Sequence, residues 1–427
     1  MGNVSRRDFA RLLAATGSGA WLHAWPKDLD RSPLPQTPAQ PDEAYWKQVR
    51  SRFLLPADLT FLNAANLCPT SLPAFDALAA NTRLLDANPS SASRATLGEG
   101  REKSRKAIAS ALRVQPEEVL ITRNTSEANN LVSSGLALGA GDEVVVFADN
   151  HPSNLNAWRE KSRRFGFSVI EVAAPTPHPG PEALLKAFAA AFTPRTKVLA
   201  VTHVTNTMGD MLPVSALCAL ARERGVLSLV DGAQSFGVLD VNLQTMRPDF
   251  YSGSVHKWPC GPKETGVLIV AREVHERLAP TVVSLYGGAV GLSRTHEAFG
   301  QRDEAALASL GAALEFQEGI GRSVIEARVR ALVQRLADGL RTIDGVTLWT
   351  SMDPLRSAGI LVAKPAALEP RRLVSDLYQR DRIVCAAAGG TTRPGVRFAP
   401  HFYNTMDEID RTVAAVRRYV VSGGPGL

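Results

Sequence analysis

Leu227-Ser228-Leu229-Val230-Asp231-Gly232-Ala233-Gln234-Ser235 and, one crossover later, Ser252-Gly253-Ser254-Val255-His256-Lys257-Trp258 decide the fold of this chain. In the first, a short apolar run leads to one acid; in the second, Lys257 sits among small and polar residues after a predicted strand. A strand over Leu227–Val230 places Asp231 at its carboxyl end, where open α/β sheets bind ligands. A second strand, Phe250–Ser252, delivers Lys257 just beyond its own end. Lys257 follows Asp231 by 26 positions (257 − 231), enough for one crossover to a neighbouring strand. A lysine desolvated there has a lowered pKa and can act as an amine nucleophile. Taken singly, each has a plainer reading: Asp231 as a helix N-cap, Lys257 as a structural or surface lysine.

Working outward, similar Val-, Ile- and Leu-rich runs predict strands at Glu118–Thr122, Glu143–Ala148, Ser168–Val172, Val198–Thr202 and Gly266–Val270. Near-continuous apolar runs of this length fit strands buried on both faces. Between them, Ser126–Leu138, Pro181–Ala191 and Val214–Arg224 read as helices, and Gly139 and Gly141 stop the first. The alternation predicts an α/β fold, a mostly parallel sheet flanked by helices. After about Ser293 the pattern changes. Helices at Glu304–Gly319 and Arg322–Ile343 lead into a smaller α+β region that ends in a helix at Met406–Val420. The expected organisation is a large domain over 44–295, including an N-terminal segment, and a small C-terminal domain over 296–427.

A third element lies upstream. Arg123-Asn124-Thr125-Ser126-Glu127 joins a strand to a helix, and hydroxyls with free amides at a helix start make an anion site suited to a phosphate. An N-cap without ligand is the plainer reading. Phosphate loop, aspartate and lysine, in that order, resemble the class V aminotransferases among the fold-type I pyridoxal-phosphate (PLP) enzymes, the group holding cysteine desulfurases and isopenicillin N epimerase. The resemblance runs from about Leu59 to Val420.

The resemblance implies PLP as cofactor, held covalently by Lys257, with Asp231 against its pyridine nitrogen. That carboxylate keeps the nitrogen protonated and lets the ring accept electrons. His151, in Asn150-His151-Pro152-Ser153-Asn154, would stack on the ring. Asn206, in Thr202-His203-Val204-Thr205-Asn206-Thr207-Met208-Gly209, would lie beside cofactor and substrate, and Gln234 would bond the phenolic oxygen. Thr125, Ser126, Ser254 and His256 would hold the phosphate. Gln301, in Gly300-Gln301-Arg302-Asp303, would reach the phosphate of a second subunit, which implies a homodimer. Arg397, in Gly395-Val396-Arg397-Phe398, would bind the substrate carboxylate as a planar bidentate cation; a surface salt bridge is its plainer reading. Lys257, freed by the substrate amine, would then remove the Cα proton as general base.

The chain departs from the desulfurase pattern. The stretch Ala386-Ala387-Ala388-Gly389-Gly390-Thr391-Thr392-Arg393-Pro394, where those enzymes carry a reactive cysteine, has none. Cys385 ends an apparent strand and reads as structural, so persulfide chemistry is disfavoured and the loop resembles the epimerase branch. The expected activity is aminotransferase-like, on the amino group of an amino acid or a peptide-borne amino acid. Epimerisation and carbon–sulfur lysis are the alternatives among enzymes. An exported PLP-binding protein without turnover is the alternative outside them, disfavoured because both Lys257 and Asp231 are present.

Composition excludes other classes. With 48 Lys and Arg against 42 Asp and Glu, a formal charge of +6 and no basic stripe carrying aromatics, nothing points to nucleic acid. The four cysteines, Cys68, Cys218, Cys260 and Cys385, form no C-x-x-C pair, so spacing gives no metal site. The N-terminus reads differently from the rest. Ser5-Arg6-Arg7-Asp8-Phe9 precedes a moderately apolar stretch from Ala10 to about Ala24, the layout of a twin-arginine (Tat) signal, expected over 1–24. A folded start to the first domain is the alternative. Pro26, Pro33, Pro35, Pro38 and Pro41 follow, read as a linker over 25–43. No stable membrane span is expected. The Tat translocase carries folded proteins, which suits a cofactor acquired before export. A periplasmic location and this family together resemble the enzymes that tailor siderophores after export, with the glutamate side chain of pyoverdine as the implied substrate.

Overall fold

The computed structural model describes residues 30–173, 178–365, 368–388 and 393–422; the leader expected over 1–24 lies outside them. The chain opens with helix α1 (Glu43–Arg50), strand β1 (Thr60–Phe61) and helices α2 (Leu72–Ala87) and α3 (Ser91–Leu112). There follow β2 (Val119–Thr122), α4 (Thr125–Gly135), β3 (Glu143–Phe147), α5 (Pro152–Phe165), β4 (Ser168–Val172), α6 (Pro181–Ala191), β5 (Thr196–Thr202), α7 (Val214–Glu223), β6 (Leu227–Asp231), β7 (Phe250–Ser254) and β8 (Gly266–Val270). The seven strands β2 to β8 are those expected from the sequence, with ends displaced by at most two residues.

They form one sheet in the order β2-β8-β7-β6-β5-β3-β4. β8 alone runs against its neighbours; the pairs among β7, β6, β5, β3 and β4 are parallel. In β3, Val145 and Phe147 face one core and Val144 and Val146 the other, all fully or nearly fully buried. Alternating side chains point to opposite faces of a strand. A sheet covered by helices on both sides therefore needs apolar residues at every position, and that made these strands readable.

Register places the site. Thr202 of β5 pairs with Asp231 of β6, which pairs with Ser252 of β7. The carboxyl ends of three parallel strands thus lie level. Gly232, just past β6, packs so closely on the fully buried Tyr251 that an added Cβ would lie 2.1 Å from its Cζ and its hydroxyl oxygen. Gly232→Ala is expected to lower stability by about 1–3 kcal/mol or more. A melting temperature within experimental error of the native one would contradict this.

The small domain carries β10 (Leu361–Pro365) between β9 (Val346–Leu348) and β13 (Gly395–Phe398), with β12 (Ala386–Ala388) beyond, all antiparallel. β11 (Ile383–Val384) instead pairs in parallel with β1. The division between domains differs from the one read at 295/296. The helix α8 (Glu304–Ile320) buries Leu307, Leu310 and Leu314 in the large-domain core with Ile108 and Leu112 of α3. The chain turns away at Gly321, whose φ of 97° suits only glycine, before α9 (Arg322–Arg341). Conversely, Tyr45, Trp46, Val49, Phe53 and Leu62 pack with Val329, Leu332, Ile409 and Val416, so the N-terminal segment belongs with the small domain. The remaining helices are α10 (Pro370–Asp381) and α11 (Met406–Val421).

The described part of the proline-rich stretch is laid along this body. Arg31 pairs with Asp76 at 2.7 Å, Arg52 with Asp30, and Thr37 bonds the Tyr45 hydroxyl at 2.7 Å and the Gly319 carbonyl at 3.1 Å. Among the described residues no helix is long and apolar enough to cross a membrane.

Candidate active site

Asp231 is 2% exposed at the end of β6. Its Oδ2 accepts from the Asn129 amide at 2.9 Å and from Asn154 at 3.5 Å, and its Oδ1 from the Ala233 backbone amide at 3.1 Å. Asn129 is itself held by the Ser252 hydroxyl at 2.7 Å, and Asn154 by the Trp158 indole at 3.0 Å. A buried carboxylate needs such donors, and here they fix its direction as well.

Lys257 sits in the turn after β7, half-buried, with its backbone amide 3.4 Å from the Ser254 carbonyl. Among the described residues its amine makes no hydrogen bond. Burial lowers its pKa; the charge on Asp231 opposes this, and Arg397 adds to it. His151 caps α5 and accepts from the Ser153 amide through Nδ1, which leaves the proton on Nε2. Burial lowers the His151 pKa, Lys257 and Arg397 lower it further, and Asp231 pulls the other way. These four side chains, from four separate elements, therefore share one electrostatic field.

Thr125 and Ser254 meet at the start of α4. The Thr125 amide donates to Ser254 Oγ at 3.1 Å, and the two hydroxyls lie 2.8 Å apart. Ser126 follows in the first turn, partly exposed. His256 donates from Nδ1 to the Thr265 carbonyl at 3.1 Å, and burial brings its pKa to about 4. Arg397 donates to the Asn206 carbonyl at 2.6 Å and to Asn63 Oδ1 at 3.0 Å, while its Nε and the Asn206 Oδ1 are buried without partner. Such orphaned atoms beside a half-buried amine mark a place built for a ligand.

The sequence-predicted residues are thus largely brought together. Gln234 is tied on both sides: Nε2 donates to the Ala65 carbonyl at 2.8 Å and Oε1 accepts from the Trp258 indole at 2.8 Å, leaving one amide proton. Gln301 is exposed and hydrogen-bonds none of these residues within the chain. Asn63, Asn129 and Asn154 were missed. The signal for Asn129 was present: a polar residue one turn after Thr125, on the same helix face. Arg393 was missed too. It bridges Asp149 and Asp210, each at 3.4 Å, and so ties the small domain to the mouth of the site. Cys385 is buried, which pushes its thiol up to about 12. A thiol so protonated is a poor nucleophile.

The site fits a ring that carries a phosphate and a basic nitrogen. Thr125, Ser126 and Ser254 offer the anion cradle, Asp231 the acid for the nitrogen, His151 the stacking face and Lys257 the amine.

Three histidines, His203, His256 and His401, also set an acid limit, their pKa values all lowered by burial. His203 and His256 are both held near 4 by burial. Unfolded histidines titrate near ~6.5. Below that the unfolded chain binds protons that the folded one refuses, so stability falls with pH. The melting temperature is expected to decline steadily from about pH 6.5 to pH 4.5, and less steeply in His203→Gln. An identical slope in that variant would count against the assignment.

The family model described as aminotransferase class V matches residues 71–412. Isopenicillin N epimerase of Streptomyces clavuligerus is 31% identical over 390 residues, covering 87% of this chain and 98% of that one. A probable cysteine desulfurase of Methanothermobacter thermautotrophicus is 29% identical, covering 85% and 95%. Among solved structures, a lysine-to-alanine mutant of C-DES with glycine covalently linked to its PLP cofactor superposes with a TM-score of 0.79 at 25% identity, covering 88% of this chain and 99% of that one.

Proposed function

We propose a reaction for this chain from the premise that it belongs to the aminotransferase class V family and is a PLP-dependent enzyme with the fold-type I architecture. The reading is that it acts on the amino group of an amino acid, free or within a peptide, in aminotransferase fashion. The observation that carries it is the convergence of Lys257, Asp231, His151 and Arg397 at the carboxyl edge of the sheet.

PLP, when bound, supplies an electron sink for bonds broken at the amine-bearing carbon. The chain's residues do the rest. Asp231, aimed by Asn129 and Asn154, would keep the ring nitrogen protonated. Thr125, Ser126 and Ser254, gathered at the α4 terminus, would hold the phosphate. His151 would cover the ring face. Lys257, its amine pKa lowered by burial, takes the Cα proton at Nζ. Arg397, with Nε unpartnered, receives the substrate carboxylate.

The narrower reading is a Tat-exported, periplasmic enzyme that modifies the glutamate side chain of a pyoverdine siderophore. Arg6-Arg7 ahead of Phe9 and the apolar stretch behind them support export. A homodimer belongs to the same reading. Val283 and Leu285 are 86% and 70% exposed in a segment beside Gly300, next to the exposed Gln301. Epimerisation is the second reading, favoured by the 31% identity to isopenicillin N epimerase and by a thiol-free loop.

The test is to incubate the purified enzyme with candidate amines, siderophore precursors included, with and without an α-keto acid as amino acceptor, and follow the amine by chiral chromatography and mass spectrometry. Loss of the amine to a carbonyl product supports the first reading, and an inverted amine the second. Binding without any product would overturn both. Arg397→Lys is expected to raise KM for carboxylate substrates by about 10- to 100-fold with a smaller change in kcat, since one charge-assisted fork is lost.

A further inference from the structure

Beneath the lysine turn lies a group of ligating atoms that the site does not use. The sulfurs of Cys68 and Cys260 and one ring nitrogen of His401 all lie within 4.8 Å of one another. The three residues are 2%, 0% and 0% exposed. The Tyr403 hydroxyl stands 3.8 Å from the Cys68 sulfur and is fully buried as well.

We propose that Cys68, Cys260 and His401 form a structural site for one thiophilic divalent metal ion of the zinc type, with the Tyr403 hydroxyl beside it as a fourth ligand. Two thiolates about 2.3 Å from a tetrahedral ion stand about 3.8 Å apart. A group gathered within 4.8 Å needs to close by about 1 Å at most to reach that. The set of two sulfurs and one imidazole is soft, which selects zinc or its neighbours over calcium or magnesium.

Two further observations and one charge argument favour an ion over an inert cluster. His401 donates from Nε2 to the Trp258 carbonyl at 2.6 Å, so its Nδ1 carries the lone pair, and that atom is buried without any hydrogen-bond partner. Cys260 holds a φ of 59°, the left-handed conformation that side-chain-bearing residues avoid and that collects at functional sites. A dication with two thiolates is neutral overall, the one charge state a fully buried site tolerates without further partners. Binding releases two protons, one from each thiol, and changes no oxidation state.

The position gives the ion its work. The Cys68 amide donates to the His256 carbonyl at 3.0 Å, and the Cys260 amide to the Lys257 carbonyl at 2.8 Å. Cys68 thus holds the turn that bears Lys257 from the N-terminal segment, and Cys260 closes that turn. The ion would pin that turn to the N-terminal segment and to the small domain at once.

The experiment is elemental mass spectrometry on the PLP-bound protein purified without chelator and then loaded with zinc, together with the absorption spectrum of the cobalt-substituted form. About one equivalent of metal per chain and a thiolate-to-cobalt charge-transfer band are expected. Both should fall at least fivefold in Cys260→Ser and in Cys68→Ser, with the cofactor's visible band retained. Less than about a tenth of an equivalent in the zinc-loaded native protein would overturn the proposal. So would metal undiminished in both variants, or a native mass about two units low, which reports a Cys68–Cys260 disulfide instead. Should either variant fail to fold, the native cobalt spectrum decides alone: without a thiolate band there is no such site.

Discussion

Lys257→Ala is expected to reduce turnover by about 10²- to 10⁴-fold through loss of proton transfer alone, and to abolish the covalent component of the cofactor's visible spectrum. The rest of the site should survive. Asp231 keeps its three donors without Lys257, and Thr125 with Ser254 keeps the anion cradle. The variant should therefore still bind PLP reversibly, with a dialysable band where the native band resists dialysis. Stopped-flow absorbance and rate assays on the same samples separate the two effects. Turnover within roughly threefold of the native rate would remove Lys257 from the mechanism.

Asp231→Asn has the next largest expected effect, and it separates charge from shape. The amide fills the same volume, and its oxygen can still accept from Asn129, which donates at 2.9 Å. The Ala233 amide, 3.1 Å from the other carboxylate oxygen, would lose its acceptor. The fold should hold. The ring nitrogen would lose its charged partner, and removing one member of a buried charged pair costs about 3–5 kcal/mol, or about 10²- to 10⁴-fold if all of it falls on kcat. A second readout does not depend on turnover. Asp231 raises the pKa of Lys257, so its neutralisation should move the titration of Lys257 in the apoprotein to lower pH. Unchanged kcat together with an unmoved titration would show that Asp231 is only an N-cap.

The central sheet was legible because every position in strands such as Glu143–Phe147 is buried, and burial on both faces leaves an unbroken apolar run. Asp231 was legible because it interrupts such a run at its carboxyl end, and Lys257 because it follows the next strand among small and polar residues. The asparagines that aim Asp231 were not, since nothing local distinguishes Asn154 from a polar helix residue until α5 is laid against β6. The domain division was misplaced for a related reason. Composition changes after Ser293, but α8 turns its leucines back into the large domain, and only packing reveals this. The gathering of Cys68, Cys260 and His401 was hidden most completely. Metal motifs are read from close spacing, and these residues are joined only by the fold.

The turn that carries Lys257 is closed by local hydrogen bonds and tied as well to distant parts of the chain. The Trp258 carbonyl accepts from Gln317 at 2.7 Å and from His401 at 2.6 Å, its indole donates to Gln234, and the Cys260 carbonyl receives the Ser71 amide at 3.0 Å. Partners drawn from positions 71, 234, 317 and 401 give this one turn a very high contact order. Such a turn is ordered late in folding, after both ends of the chain have docked. Capture of the cofactor by Lys257 then becomes a marker of completion, and a refolding chain should stay colourless until its last slow phase.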